Sequence, residues 1–212
     1  MPDPVEISGP LEGFTDDRLC ATGQGELVLG PCRDQGKLLI KLSAGDDDAR
    51  SALSVALATE IPERHSRLLP TARVLAMAPQ EWLWHGPDAE LQDVKDRVAA
   101  ALVPRPSALI DMSSGLVGVL VKGRRAVGLL QAGCPADLSE TVFLKGHVAR
   151  SLFGRYSVTV LCGEAQDEFT VYVARSYARS LCASMIAQAA HWGVSWLQDD
   201  GTPATTGEMR AR

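Results

Sequence analysis

The stretch LLQAGCPADLSETVFLKG, Leu129 to Gly146, gathers the residue types that could do chemistry: a cysteine before a proline, two acids and a lysine. Cys134 is the candidate nucleophile. A catalytic cysteine wants a histidine base and a thiol pKa lowered by a helix start or a cation. Here the thiol follows a helix end, where the dipole opposes a thiolate. The nearest downstream basic side chain is Lys145, and His147 reaches the thiol only through folding. Pro135 fixes the backbone just after it, which suits a turn. The structural turn is therefore the preferred reading. Asp137 and Glu140 would form a carboxylate pair for acid–base work. However, ADLSE also suits a helix start capped by Asp137, and that role is preferred. Lys122-Gly123-Arg124-Arg125 is a basic cluster at a helix start, fit for a phosphate or for a partner's acidic patch. More often such a cluster is a solvated helix end.

Other chemistry lacks its signature. No G-x-G-x-x-G follows a strand, and GRRAVG is not that fingerprint. No serine sits in a G-x-S-x-G elbow. The five cysteines, Cys20, Cys32, Cys134, Cys162 and Cys182, form no C-x-x-C pair, which argues against a structural zinc site. Cys162 and Cys182 read as small buried hydrophobes. The four histidines, His65, His85, His147 and His191, lack ligand spacing. No catalytic, cofactor-binding or metal-binding residue is assigned to this chain.

The 212 residues suffice for one large domain or two small intertwined modules. Hydrophobic residues make up 46% and charged residues 22%, as in globular proteins. With a net charge of -5 and no basic run, nucleic-acid binding has no electrostatic support. No stretch reaches the roughly 20 apolar residues of a membrane helix, and MPDPVEISGP lacks the apolar core of a secretion signal. A cytoplasmic protein is expected.

Residues 1–35 read as an irregular arm, with GELVLGP as a short strand within it. KLLIKLS (37–43) reads as a strand and Asp46–Ala58 as a helix with acids in its first turn. ARVLAMA and EWLWHG read as strands split by a turn at Pro79-Gln80. Asp88–Leu102 is a helix with Leu91, Val94, Val98 and Leu102 on one face. SALIDMS (107–113) and GLVGVLVKG (115–123) are strands. Arg124–Ala132 is a short helix ended by Gly133. HVARSLF, SVTVLCG and EFTVYVA are strands, followed by a helix over Ser176–Ala190. Residues 199–212 read as a solvated tail.

The two halves share this order. Gln80-Glu81 aligns near Asp167-Glu168, and Trp82 near Phe169. The expected fold class is α+β, with two tandem βαββ-type, ferredoxin-like modules at 36–113 and 114–198, each laying helices on one face of a sheet.

Three segments carry a resemblance to a known family: APQEWLWHGP, IDMSSGLVGVLVKGRRAVGLLQAGCPADLSETVFLKGHVARSLF and EFTVYVARSYARSLCASMIAQAA. They resemble the gamma subunit of heterotetrameric sarcosine oxidase. The family's pattern falls on Glu81-Trp82-Leu83, Asp111 with Ser113, Gly123 with Ala126, Leu130–Leu138, Phe143 with Gly146, and Phe169–Ala178. Its most specific parts are G-C-P-x-D-L and R-S-Y-A at the right separation.

The resemblance implies a fold like the folate-binding domain of aminomethyltransferases and a non-catalytic role supporting the complex. That complex oxidatively demethylates sarcosine and passes the one-carbon unit to tetrahydrofolate. The resemblance places FAD, FMN, NAD and tetrahydrofolate in the alpha and beta chains and zinc in the delta chain, with no cofactor in this one. The alternative is a stand-alone folate-binding or folate-dependent protein of the aminomethyltransferase/YgfZ-like fold. YgfZ-type relatives carry K-G-C-Y-x-G-Q. Here Lys145-Gly146-His147 is followed by Val148-Ala149-Arg150, so the cysteine and the G-Q are missing.

A subunit needs an apolar surface unsuited to lasting exposure. Trp192 and Trp196, past the last helix, are expected with Arg124 and Arg125 at contacts with the larger chains. Trp82 and Trp84 share one side of a strand. If that side faces the core, Leu83 and His85 are expected to face outward.

Overall fold

The structure, a computed structural model, describes residues 9–14, 16, 18–19, 26–32 and 35–197. The expected tail at 199–212, and Cys20, lie outside the described residues.

The first half runs β2 (Gln35–Leu42), α1 (Asp47–Leu57), β3 (Ser66–Leu68), β4 (Arg73–Ala78), β5 (Glu81–Pro87), α2 (Asp88–Leu102) and β6 (Ser107–Asp111). The second runs β7 (Leu116–Lys122), α3 (Ala126–Gly133), β8 (Val148–Phe153), β9 (Tyr156–Cys162), β10 (Glu168–Ala174), α4 (Ala178–Ala189) and β11 (Val194–Trp196). The five-stranded sheet has the order β3-β4-β5-β2-β6, and, with β1 (Leu27–Pro31) added from the start of the chain, the six-stranded sheet has the order β8-β9-β10-β7-β1-β11. The two orders match strand for strand except that β1 is inserted between β7 and β11. β1 runs antiparallel to β7 and parallel to β11. β11 is thus antiparallel to β7, as β6 is to β2.

The two halves correspond at single residues too. Lys41 pairs with Glu81 across β2 and β5 at 2.7 Å, and Lys122 with Glu168 across β7 and β10 at 2.9 Å. One ladder step inward, Ile40 opposes Trp82 and Val121 opposes Phe169.

Successive side chains along a strand point to opposite faces, and each sheet uses both. Leu38, Ile40, Trp82 and Trp84 pack with Leu53, Val94 and Val98 of α1 and α2. Val119, Val121, Phe169 and Val171 pack with Leu129 of α3 and Leu181 and Met185 of α4. The faces turned away from the helices meet through a smaller cluster, with Leu39, Leu75 and Leu83 on one side and Leu116, Leu161 and Tyr172 on the other. The layers are therefore helices, sheet, sheet, helices. This corrects the expectation for Leu83 and His85. Trp82 and Trp84 do face a core, yet Leu83 and His85 are buried as well, because the second sheet covers their side.

Asp46 caps α1, its side chain accepting from Ala49 N at 2.8 Å. α3 starts at Ala126 rather than Arg124, because Gly123 and Arg125 make the turn that enters it. Gly123 has φ +119°, and a Cβ there would lie 2.5 Å from the carbonyl oxygen of Glu26. The expected helix at ADLSE does not form. Asp137 instead accepts from Ser139 N at 2.9 Å in a turn. Part of the expected arm is structural: β1 belongs to the second sheet, Leu11 is buried on its core, and Arg179 donates to the carbonyls of Pro10 and Glu12 at 3.1 and 2.6 Å. No helix among the described residues is long and apolar enough to cross a membrane.

Candidate functional site

Polar side chains gather between the sheets at Cys32, Gln35, Lys37, His85, Thr170 and Tyr172. Lys37 and His85 oppose each other on β2 and β5 and point away from the helices. Lys37 is 5% exposed, and its ammonium donates to the Gln35 carbonyl at 2.9 Å. Burial lowers its pKa. His85 Nε2 bonds to the Gln35 side-chain oxygen, so Nε2 carries the proton and Nδ1 accepts from the Tyr172 hydroxyl at 2.6 Å. Burial, then the charges of Lys37 and Arg73, push the His85 pKa down to about 3. Burial raises Tyr172 well above its ordinary value and Cys32 to about 11. At neutral pH these three are uncharged and present fixed donors and acceptors beside the buried Lys37.

The seam opens into a cleft of about 470 Å³ lined by Gln35, Arg73, His85, Glu164, Glu168 and Thr170, together with apolar residues. Arg73 crosses the cleft between the halves, donating to Ser66 Oγ at 3.0 Å and pairing with Glu164. Nothing in the sequence grouped these residues. They come from five strands and loops, and only the meeting of the sheets joins them.

The residues singled out in the sequence fall elsewhere. Cys134 is buried against the second core, and burial pushes its thiol up to about 11, the wrong direction for a nucleophile. Its N–H donates to the Leu130 carbonyl at 2.8 Å, closing α3. Asp137 closes its own turn with its carboxylate, and Glu140 is tied through its backbone carbonyl, which accepts from Gln166 Nε2 at 3.2 Å. The basic cluster is matched by acids. Lys122 meets Glu168, and Glu26 takes Arg124 at 2.6 Å and also Arg125.

Arg124 and Arg125 form a corner with Trp192, whose ring lies 5.7 Å from the Arg125 guanidinium carbon. Trp192 is half-buried and Arg124 remains well exposed. Trp196 does not join them, which corrects its expected place at the surface. It is 4% exposed, sits in β11 beside β1, and packs on Phe14 with ring centroids 4.7 Å apart. The ring is core because β11 pairs with a strand from the other end of the chain.

Two segments of the resemblance are structural ties. Asp111 accepts from Ser113 N at 2.9 Å, and Ser113 Oγ accepts from Lys37 N at 3.0 Å, fastening β6 to β2. The R-S-Y-A segment turns β10 into α4. Among the described residues, no group of three or more His, Cys, Asp or Glu is placed to hold a metal.

No family model matches the chain, and no curated protein matches it. Solved structures do. The heterotetrameric sarcosine oxidase from Corynebacterium sp. U-96, in complex with pyrrole 2-carboxylate, contains a chain that aligns over 88% of this chain and 96% of its own, with TM-score 0.78 and 17% identity. The glycine cleavage system aminomethyltransferase T from Bartonella henselae aligns over 82% of this chain with TM-score 0.62 and 15% identity. This chain covers 48%, about half, of that aminomethyltransferase. The chain has the mixed α+β fold that these two structures share.

Proposed function

We propose that this chain is the gamma-type, non-catalytic subunit of a heterotetrameric, flavin-dependent sarcosine oxidase. In this reading it is built from two copies of one ferredoxin-like unit, 36–113 and 114–198, with β1 added to the second. The carrying observation is the near end-to-end match, 96% of the other chain at TM-score 0.78, to one chain of a heterotetrameric sarcosine oxidase. The partners are the alpha, beta and delta chains. FAD, FMN, NAD and tetrahydrofolate reside in those partners, and the complex works in the cytoplasm. Arg124, Arg125 and Trp192 form the contact corner: an aromatic ring held by a guanidinium is a favoured interface anchor.

The uncharged His85 and the raised thiol of Cys134 support a role without covalent or histidine acid–base chemistry in this chain. Expressed alone, the chain is expected to be colourless and inactive toward N-methyl amines. A bound flavin spectrum would overturn this reading. The second reading, a folate-binding protein, is favoured by the aminomethyltransferase match. Titration of the isolated chain with tetrahydrofolate separates the two, since saturable binding supports only the second.

A further inference from the structure

At another junction of the halves, the imidazoles of His65 and His147 stack with centroids 3.7 Å apart and planes 3° from parallel. They occupy matching places, one residue before β3 and one residue before β8. Both positions are set by unusual backbone. His65 has φ +64°, a left-handed conformation uncommon outside glycine, and Gly146 before His147 has φ +75°. The surroundings are firmly fixed. Trp82 Nε1 donates to the Pro62 carbonyl at 2.7 Å, Arg50 to the Ile61 carbonyl at 2.8 Å, and Ser66 Oγ to the Gly146 carbonyl at 2.7 Å.

The stack lines a cleft of about 420 Å³. Its charges do not cancel. Arg50 is matched by Glu63 at 3.5 Å and Arg67 by Glu60 at 2.8 Å, while the nearby Arg73 is taken by Glu164. Arg64 and Lys145, both exposed, have no acid within ion-pair distance among the described residues. In the wall, His65 Nδ1 is buried and has no hydrogen-bond partner among the described residues. Buried polar atoms normally find one.

We propose that this cleft binds a small oxyanion, a carboxylate or a phosphate, held by the His65–His147 pair with Arg64 and Lys145. The anion supplies the counter-charge that the two free cations lack, beside the stacked imidazoles that line the cleft. It also couples binding to protons. Burial, then His147 and Arg64, hold the empty-cleft pKa of His65 below its ordinary 6.5. An adjacent anion favours the charged ring, so binding takes up a proton and strengthens as pH falls. Glu60 and Glu63 oppose the anion, but each is engaged by an arginine. This inference stands apart from the subunit reading, because it concerns the isolated chain.

The test is calorimetric titration of the full chain with inorganic phosphate, and separately with succinate, at about pH 6 and about pH 8. Chloride at equal ionic strength serves as the control. Saturable binding several-fold tighter at the lower pH is expected for at least one probe, and the better probe identifies the class. Arg64→Ala with Lys145→Ala should weaken it roughly tenfold or more, with the melting temperature of the anion-free chain unchanged. Heats matched by chloride overturn the proposal, as does equal affinity at both pH values or in the double variant. The imidazole proton resonances of His65 and His147 give a second readout: anion-induced shifts at other histidines alone also overturn it.

Discussion

The Tyr172 hydroxyl donates to His85 Nδ1 at 2.6 Å, and the two rings meet edge to face with centroids 5.3 Å apart. Each is the fifth residue of its strand, β5 and β10, so the two matching positions meet where the sheets touch. This pair joins the halves through a polar contact between the sheets.

Removing the hydroxyl leaves a buried acceptor without a partner. Tyr172→Phe is therefore expected to destabilise the chain by about 1–3 kcal/mol, as measured by urea unfolding. A change within error of zero would show that water or another donor satisfies His85.

The same histidine sets an acid limit. Its folded pKa, about 3, lies below the ordinary 6.5. Between those values the unfolded chain binds the proton and the folded one does not, so stability falls as pH falls. Above about 6.5 the contribution is whole. His65, shifted in the same direction, adds to the slope. Unfolding free energy measured from neutral pH downward is expected to decline across this window, less steeply in His85→Gln. An identical slope in that variant would assign the acid sensitivity elsewhere.

Much of this order is legible in sequence. The alternation of Trp82 and Trp84 and the helical spacing of Leu91, Val94, Val98 and Leu102 follow from burial of one face, and the structure keeps both patterns. The near alignment of Glu81 with Glu168 marks two lysine–glutamate rungs. What sequence hides is what covers the other face. Leu83 and His85 look outward until a second sheet lies on them. β3 and β11 have three residues each, too few for periodicity to show. Trp196 is buried only because β1, far away in the chain, pairs with β11. The inter-sheet seam and the His65–His147 stack have no local signature, since each joins residues from both halves.

Close packing gives a further test at Gly133. A Cβ there would lie 2.4 Å from a ring carbon of Phe153, which is itself fully buried. Gly133→Ala gains helix propensity of up to about 1 kcal/mol but overpacks the core at a cost of about 1–3 kcal/mol. A lower melting temperature is expected, restored in part by Phe153→Leu. A simple gain in stability would mean that the ring has room to move.

The two tryptophans near the end should separate. Trp196→Ala removes a core ring and is expected to cost about 3–5 kcal/mol in the isolated chain. Trp192→Ala, at the Arg125 corner, should cost clearly less and instead weaken assembly with partner chains. Equal losses of stability with normal assembly would remove Trp192 from the contact corner.

The most direct measurement of the central claim is affinity purification of this chain from its native host, with mass spectrometry of the copurifying chains and an absorbance spectrum of the eluate. A stable complex with three other chains, a flavin spectrum, and sarcosine oxidation by the eluate are expected. A colourless chain recovered without partners, under conditions that preserve sarcosine oxidation in the lysate, would contradict it.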